Sequence, residues 1–158
     1  MDAATTRAAR RSPAGPLVVA AAVVVLDQLT KVWAVSALSD GPVHVFGSVL
    51  QFRLTRNPGG AFSLLTNLTP VLAVLAVIMV GFIVRTTRRT DDLVMAYSLA
   101  LVLGGAVGNL VDRLVRSPGF LRGEVVDFIK VPHWPTFNLA DSAITIGVIF
   151  IAARGWRS

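Results

Sequence analysis

The chain contains no cysteine. Disulfides, thiolate metal sites and a cysteine nucleophile are therefore excluded, and the chain has no thiol of its own to lipidate. Histidine is nearly absent too: His44 and His133 stand far apart with no helical ligand spacing. A zinc site of the H-E-x-x-H kind cannot be built from them, and neither a metal nor another cofactor is expected. Charge is scarce, at 15% of 158 residues against about a quarter in soluble domains. Acids are fewer than bases, nine against fifteen, for a net charge of +6. The surplus is clustered arginine, which suits the cytoplasmic ends of membrane helices better than a nucleic-acid face, so no nucleic-acid partner is expected. No internal repeat or low-complexity tract is evident, and the length is that of one domain, 1–158.

What the chain has instead is long apolar runs, 54% of its residues being hydrophobic. Four runs approach the roughly 20 residues that a bilayer-crossing helix needs: 16–38, 68–84, 93–111 and 138–153. The first follows a basic arm, 1–15, with Arg7, Arg10 and Arg11. It is too long for the apolar part of a signal peptide and has no small-residue cleavage site followed by a soluble body, so it reads as a first span. With four spans, that arm, the turn holding Arg85, Arg88 and Arg89, and the C-terminal Arg154 and Arg157 all share one side. The positive-inside rule makes that side cytoplasmic, although Arg53, Arg56, Arg116, Arg122 and Lys130 fall in the outer connections. Those connections contain strand-like stretches, "PVHVFGSVLQFRLT" with a bend at Gly47 and "GEVVDFIKV" before Pro132–Pro135. The expected fold is a mainly α membrane protein, a four-helix bundle with a small extracytoplasmic β-sheet.

The polar residues converge. Asp27 and Lys31 lie roughly 16 to 22 Å into the first span at 1.5 Å per residue, past its middle. Asn109, Asp112 and Arg113 close the third span at its outer end, Asp127 precedes the fourth, and Asn138 and Asp141 open it. A charge near the bilayer centre costs about 2.5 to 3.5 kcal/mol, so such groups normally face a bundle interior or a wet cavity and pair. Asp27 and Lys31, four residues apart with the acid first, share a helical face, and so do Asn109, Asp112 and Arg113.

Each of these residues also has an ordinary reading. Asp27 with Lys31 fits a structural ion pair, and Asp112 with Arg113 fits charges reaching for an interface. Asn138 with Asp141 fits a helix cap plus an acid favoured by the helix dipole, and Asp127 alone fits a solvated strand residue. "RNPGGAFSLL" from Arg56 fits a tight turn into the second span, or else a backbone wall beside a bound peptide. Singly the ordinary readings suffice, but several acids and amides at one depth need a common explanation. If Asp127 and Asp141 face each other they share a proton, and one takes a proton from water while the other polarises a peptide carbonyl. A serine–lysine dyad is the competing peptidase design; of the two lysines, Lys31 already has an acid partner. A proton- or ion-coupled transporter also uses buried Asp and Lys, but needs polar residues along a full path, and the inner halves of the spans are almost purely apolar.

Five stretches in order, "DQLTK" (Asp27–Lys31), "NPGGAF" (Asn57–Phe62), "GNLVDR" (Gly108–Arg113), "VVDFI" (Val125–Ile129) and "FNLAD" (Phe137–Asp141), resemble the motifs of the lipoprotein signal peptidase (signal peptidase II) family over residues 20–150. The resemblance implies a membrane aspartic endopeptidase with Asp127 and Asp141 as catalytic dyad. It implies that Asn57, Gly59, Asn109, Asp112, Arg113 and Asn138 line or brace the site, and that Asp27 and Lys31 form the first-span motif. The implied substrates are bacterial prolipoproteins carrying diacylglyceryl on the lipobox Cys, cut just before that Cys. A monomer in the cell membrane is expected, with both termini cytoplasmic, lipids as neighbours and the site near the outer leaflet.

Overall fold

The computed structural model describes residues 14–59, 69–87 and 90–156. The basic arm, Gly60–Leu68 of the second motif and its approach to the next helix, and Arg88, Arg89 and Arg157 lie outside the described residues. Four helices, α1 (Ala14–Ala37), α2 (Thr69–Thr87), α3 (Leu93–Val115) and α4 (Leu139–Gly155), carry a three-stranded antiparallel sheet. Its strands β1 (Val43–Phe46), β2 (Leu50–Asn57) and β3 (Val125–Lys130) lie in the order β1-β2-β3.

Helix α1 is built inside out relative to a helix of a soluble protein. Its buried stripe holds small or charged residues, Ala20, Asp27, Lys31 and Ala34, spaced by seven, four and three positions. Its exposed face holds Leu17, Val18, Val25, Leu26, Leu29, Val32 and Trp33. Large apolar side chains outside and charges inside satisfy lipid, not water. Among the described residues, three helices, α1, α2 and α3, are long and apolar enough to cross a membrane. Helix α4 has 17 residues, about 25 Å of rise, and its first turn belongs to a polar cluster rather than to an apolar run.

Helix α3 is the central element and packs against each of the other three. Asp92 caps its start by accepting the Met95 N–H at 3.1 Å. Arg154 at the end of α4 donates to the same carboxylate at 2.6 Å and, with that cap, holds Asp92 below the usual carboxylate range. The helix continues four residues past Val111, where the apolar run stops, because Asp112 finds partners on three sides (below). Glycines set the helix spacing. At Gly104 a Cβ would stand 2.7 Å from Ala20 O of α1, and at Gly147 of α4 another would stand 2.7 Å from Ser98 O. At Gly105 it would strike the carbonyl oxygen of Ala140 and come within 2.7 Å of Ile144 Cγ1. Backbone cannot yield to such a contact. Gly105→Val is therefore expected to push α4 from α3 and lower stability by about 1–3 kcal/mol, read as a lower unfolding midpoint in detergent.

The sheet is seated on the C-terminal end of α1 by three aromatic rings. Trp33 of α1 meets Phe52 of β2 at 5.5 Å and Phe128 of β3 at 6.0 Å, both edge to face. Ala34, Leu38, Val126 and Phe128 fill the space beneath. Gly47, at φ +53°, turns β1 into β2, as the bend expected there requires. A second clamp matters more for the site. Phe137 pairs with Ile129 in an isolated antiparallel bridge, with N–H···O bonds of 3.0 and 2.8 Å. The chain between them is thereby closed into a loop, and residue 138 is delivered beside residue 127.

Candidate active site

Asp127 sits mid-strand on β3, opposite Thr55 of β2, and only 2% of its surface is exposed. Asp141 is the third residue of α4, partly accessible. Between them stands Asn138, the N-cap of α4, fully buried. Its Oδ1 accepts the Asp141 N–H at 2.9 Å, while Asp141 Oδ2 accepts the Asn138 N–H at 3.2 Å, which completes a capping box. The same Asn138 donates its Nδ2 to Asp127 Oδ1 at 2.7 Å. One side chain thus caps the helix and joins the two acids, so the ordinary reading of Asn138 and Asp141 as a cap is correct in geometry and incomplete.

Two further amides aim donors at the carboxylates. Asn57, at the end of β2, accepts the Gly59 N–H on Oδ1 at 3.1 Å, so its Nδ2 points to Asp127 Oδ2 at 3.0 Å. Gly59 is buried in this turn, and Pro58 O accepts from the Thr69 hydroxyl at the start of α2. Asn109 of α3 donates Nδ2 to Asp141 Oδ1 at 2.8 Å. Burial and the neighbouring Asp141 charge push Asp127 up to about 7, against the pull of Asn57, Asn138 and Lys31. The folded chain therefore holds this proton more tightly than the unfolded one. The stability that Asp127 contributes is complete below its ordinary value of 3.8 and is lost as pH rises through about 7.

Behind the carboxylates lies a buried ionic cluster. Lys31 Nζ stands 2.8 Å from Asp27 Oδ2 and 2.8 Å from Asp112 Oδ2, with none of the three side chains exposed. Asp27 Oδ1 accepts the Ala140 N–H at 3.0 Å, which holds the first turn of α4. Asp112 Oδ2 accepts the Val126 N–H at 3.1 Å, which holds β3. Arg116 Nε reaches Asp112 Oδ1 at 2.7 Å, and Gln28 Nε2 reaches Gly108 O at 3.0 Å and both carboxylates at 3.2 Å. Asp27 and Lys31 are thus the structural pair the spacing suggested, but they are tied to every element that bears a site residue except β2.

Arg113 is 9% exposed, within electrostatic reach of Asp127, Asp112 and Asp141, and its Nη1 is buried without a hydrogen-bond partner among the described residues. All ten residues singled out in the sequence fall in or directly against this cluster. Gln28 and Arg116 were missed. Gln28 has no charge to mark it, and Arg116 lies in a connection where an arginine reads as solvated; its position four residues after Asp112 was the available signal.

Residues 19–157 match the family described as Signal peptidase (SPase) II. A protein of Rhodococcus jostii named lipoprotein signal peptidase is 47% identical over 135 residues, covering 85% of this chain and 68% of its own length. A protein of the same name from Mycolicibacterium smegmatis is 47% identical over 150 residues, covering 90% of this chain and 64% of its own length. A solved bacterial membrane enzyme, determined by the in meso method, superimposes with a TM-score of 0.82 at 29% identity, over 91% of this chain and 88% of its own.

Proposed function

The chain belongs to the signal peptidase II family, and from that premise we propose that it removes signal peptides from bacterial prolipoproteins with Asp127 and Asp141 as its reacting pair. The observation that carries this reading is the double use of Asn138, whose amide reaches Asp127 at 2.7 Å while its backbone N–H reaches Asp141 at 3.2 Å. In the reaction, one carboxylate takes a proton from a water held between the pair, and that water attacks the scissile carbonyl carbon. The protonated partner gives its proton to the carbonyl oxygen, so the tetrahedral intermediate forms as a neutral diol. Collapse returns a proton to the leaving amine, and no covalent bond to the enzyme is made. Asp127, which burial and the neighbouring Asp141 charge keep protonated up to about 7, is the donor. The buried Nη1 of Arg113, without a hydrogen-bond partner among the described residues, lies beside the pair and suits a backbone carbonyl of the substrate.

The substrate carries diacylglyceryl on its lipobox Cys and is cut immediately before that Cys. Acyl chains hold this residue at the bilayer, so the scissile bond is presented near an interface. The enzyme sits in the cell membrane as a monomer among lipids, with both termini cytoplasmic and its site toward the outer leaflet. The buried charges among the described residues, Asp27, Lys31, Asp112, Arg113 and Asp127, gather in one zone, unlike the polar path a transporter requires.

A purified preparation in mixed micelles tests the substrate directly. A lipidated reporter precursor is expected to be cut at the Cys, and the unlipidated precursor at least about 100-fold more slowly, because lipid anchoring supplies the positioning. Equal rates would remove lipid from the account. The pH dependence tests the donor. With Asp127 protonated in the active form, kcat falls as pH rises through about 7. A rate that is flat to pH 9 contradicts that assignment.

A further inference from the structure

Lys31 is more than half of an ion pair. Its ammonium has three protons to donate and three partners, Asp27 Oδ2 at 2.8 Å, Asp112 Oδ2 at 2.8 Å and Asn109 Oδ1 at 2.9 Å. The third partner is an uncharged amide, and that amide is the one that touches Asp141. Asn109 Oδ1 also accepts from Asn138 Nδ2 at 3.1 Å, so both of its lone pairs are taken. Its NH2 is left facing Asp141 Oδ1 at 2.8 Å. In the reversed orientation the amide NH2 would face the ammonium and the Asn138 NH2, donor against donor, and its oxygen would face the carboxylate of Asp141. That arrangement is tolerated only if Asp141 carries the proton.

We propose that Lys31 is a positioning residue that fixes the polarity of the Asn109 amide and thereby makes Asp141 the proton acceptor of the pair, leaving Asp127 as donor. The inference rests on the dyad reading and adds the device that breaks the symmetry between the two acids. The effect is carried by the amide dipole rather than by the lysine charge at a distance. Asp27 and Asp112 against Lys31 and Arg116 make the inner cluster neutral. Among the described residues, the other charged groups facing Asp141 are Asp127 from β3 and Arg113 from α3, and the β2 side chain bonded to the pair is the uncharged Asn57. Water reaches Asp141 more easily than Asp127, which suits the member that must meet the nucleophile.

The test is the pH profile of kcat for the full-length Lys31→Met enzyme on a lipidated precursor. Once freed from Lys31 the Asn109 amide can turn. The acid limb is expected to move to higher pH by about one unit, read as an about tenfold lower kcat on that limb, with KM little changed. Asn109→Leu is expected to move the limb alike, and Lys31→Met to add nothing in that background. If Lys31→Met alone does not fold, Asp27→Asn/Lys31→Met keeps the cluster neutral and carries the same expectation. A variant that loses stability and active fraction while the limb stays in place, or two displacements that simply add, would overturn the inference. Cleavage retained by Asp141→Asn would instead sink the dyad reading beneath it, so the two failures are distinguishable.

Discussion

Asp127→Asn and Asp141→Asn are each expected to lower kcat on a lipidated precursor by about 10³-fold or more, while the protein still inserts and folds. General acid or base catalysis by a placed side chain contributes about 10²- to 10⁴-fold, and in the proposed mechanism each carboxyl carries one half of the proton traffic. The fold survives for reasons visible at each position. Asn at 141 keeps an oxygen to accept the Asn138 N–H, so the cap on α4 persists in weakened form. Asn at 127 keeps an acceptor for Asn138 and removes a carboxyl whose ionisation the buried site opposes. The two substitutions act on one device, so the double variant is expected to be no slower than the worse single one. Product formation is followed by the mass shift of the precursor, and folding by the unfolding midpoint in detergent. Multiplying losses, or either variant cleaving at a tenth of the normal rate, would place the chemistry elsewhere.

Asp112→Ala is expected to have the largest effect on stability. The Asp112 carboxylate receives four donors: Lys31 and the Val126 N–H on Oδ2, Arg116 and Gln28 on Oδ1. Its loss leaves Lys31 with one carboxylate, sets Arg116 loose and strands a buried backbone N–H on β3. Breaking a buried ion pair from one side costs about 3–5 kcal/mol, and an orphaned buried donor about 1–3 kcal/mol more, the two overlapping because they share a group. For a chain of this length the midpoint is expected to fall by about 10 °C or more. Asp112→Asn keeps an acceptor for Val126 and should fall between. Asp92→Ala is the contrast: its pair with Arg154 is partly solvent-exposed, so the midpoint should fall only by what the Met95 cap contributes, well short of the drop in Asp112→Ala. If both alanine variants unfold alike, the ionic cluster does not hold the sheet to the helices.

The helices were legible because lipid imposes a simple rule: apolar runs of spanning length must satisfy their backbone internally. The pairing of Asp27 with Lys31 was legible because helical spacing places i and i+4 on one face. What could not be read were the bonds made across elements. Nothing local says that Lys31 will reach Asp112 and Asn109 some 80 positions later, or that Phe137 will return to Ile129 and deliver Asn138 to Asp127. Helix ends were misjudged where polar residues, once paired, let a helix outlast its apolar run, as Asp112 and Arg113 do in α3. The basic residues between α1 and α2 and between α3 and α4 blurred the charge rule, and two have structural employment: Arg116 binds Asp112, and Lys130 donates to Trp134 O at 2.6 Å. The glycines of α3 looked like ordinary membrane-helix glycines, and only the packed structure shows that Gly108 leaves room for the Asp27 carboxylate, 2.6 Å from where its Cβ would stand.

The proposed chemistry turns on a single water position shared by Asp127 and Asp141. The most direct measurement is a structure of the enzyme with a lipidated peptide in which a hydroxyethylene unit replaces the scissile bond. Its hydroxyl is expected within hydrogen-bonding distance of both carboxylates, with the acyl chains leaving toward the exposed apolar faces of the helices. A hydroxyl bound away from one or both acids, with the lipid still seated, would contradict it.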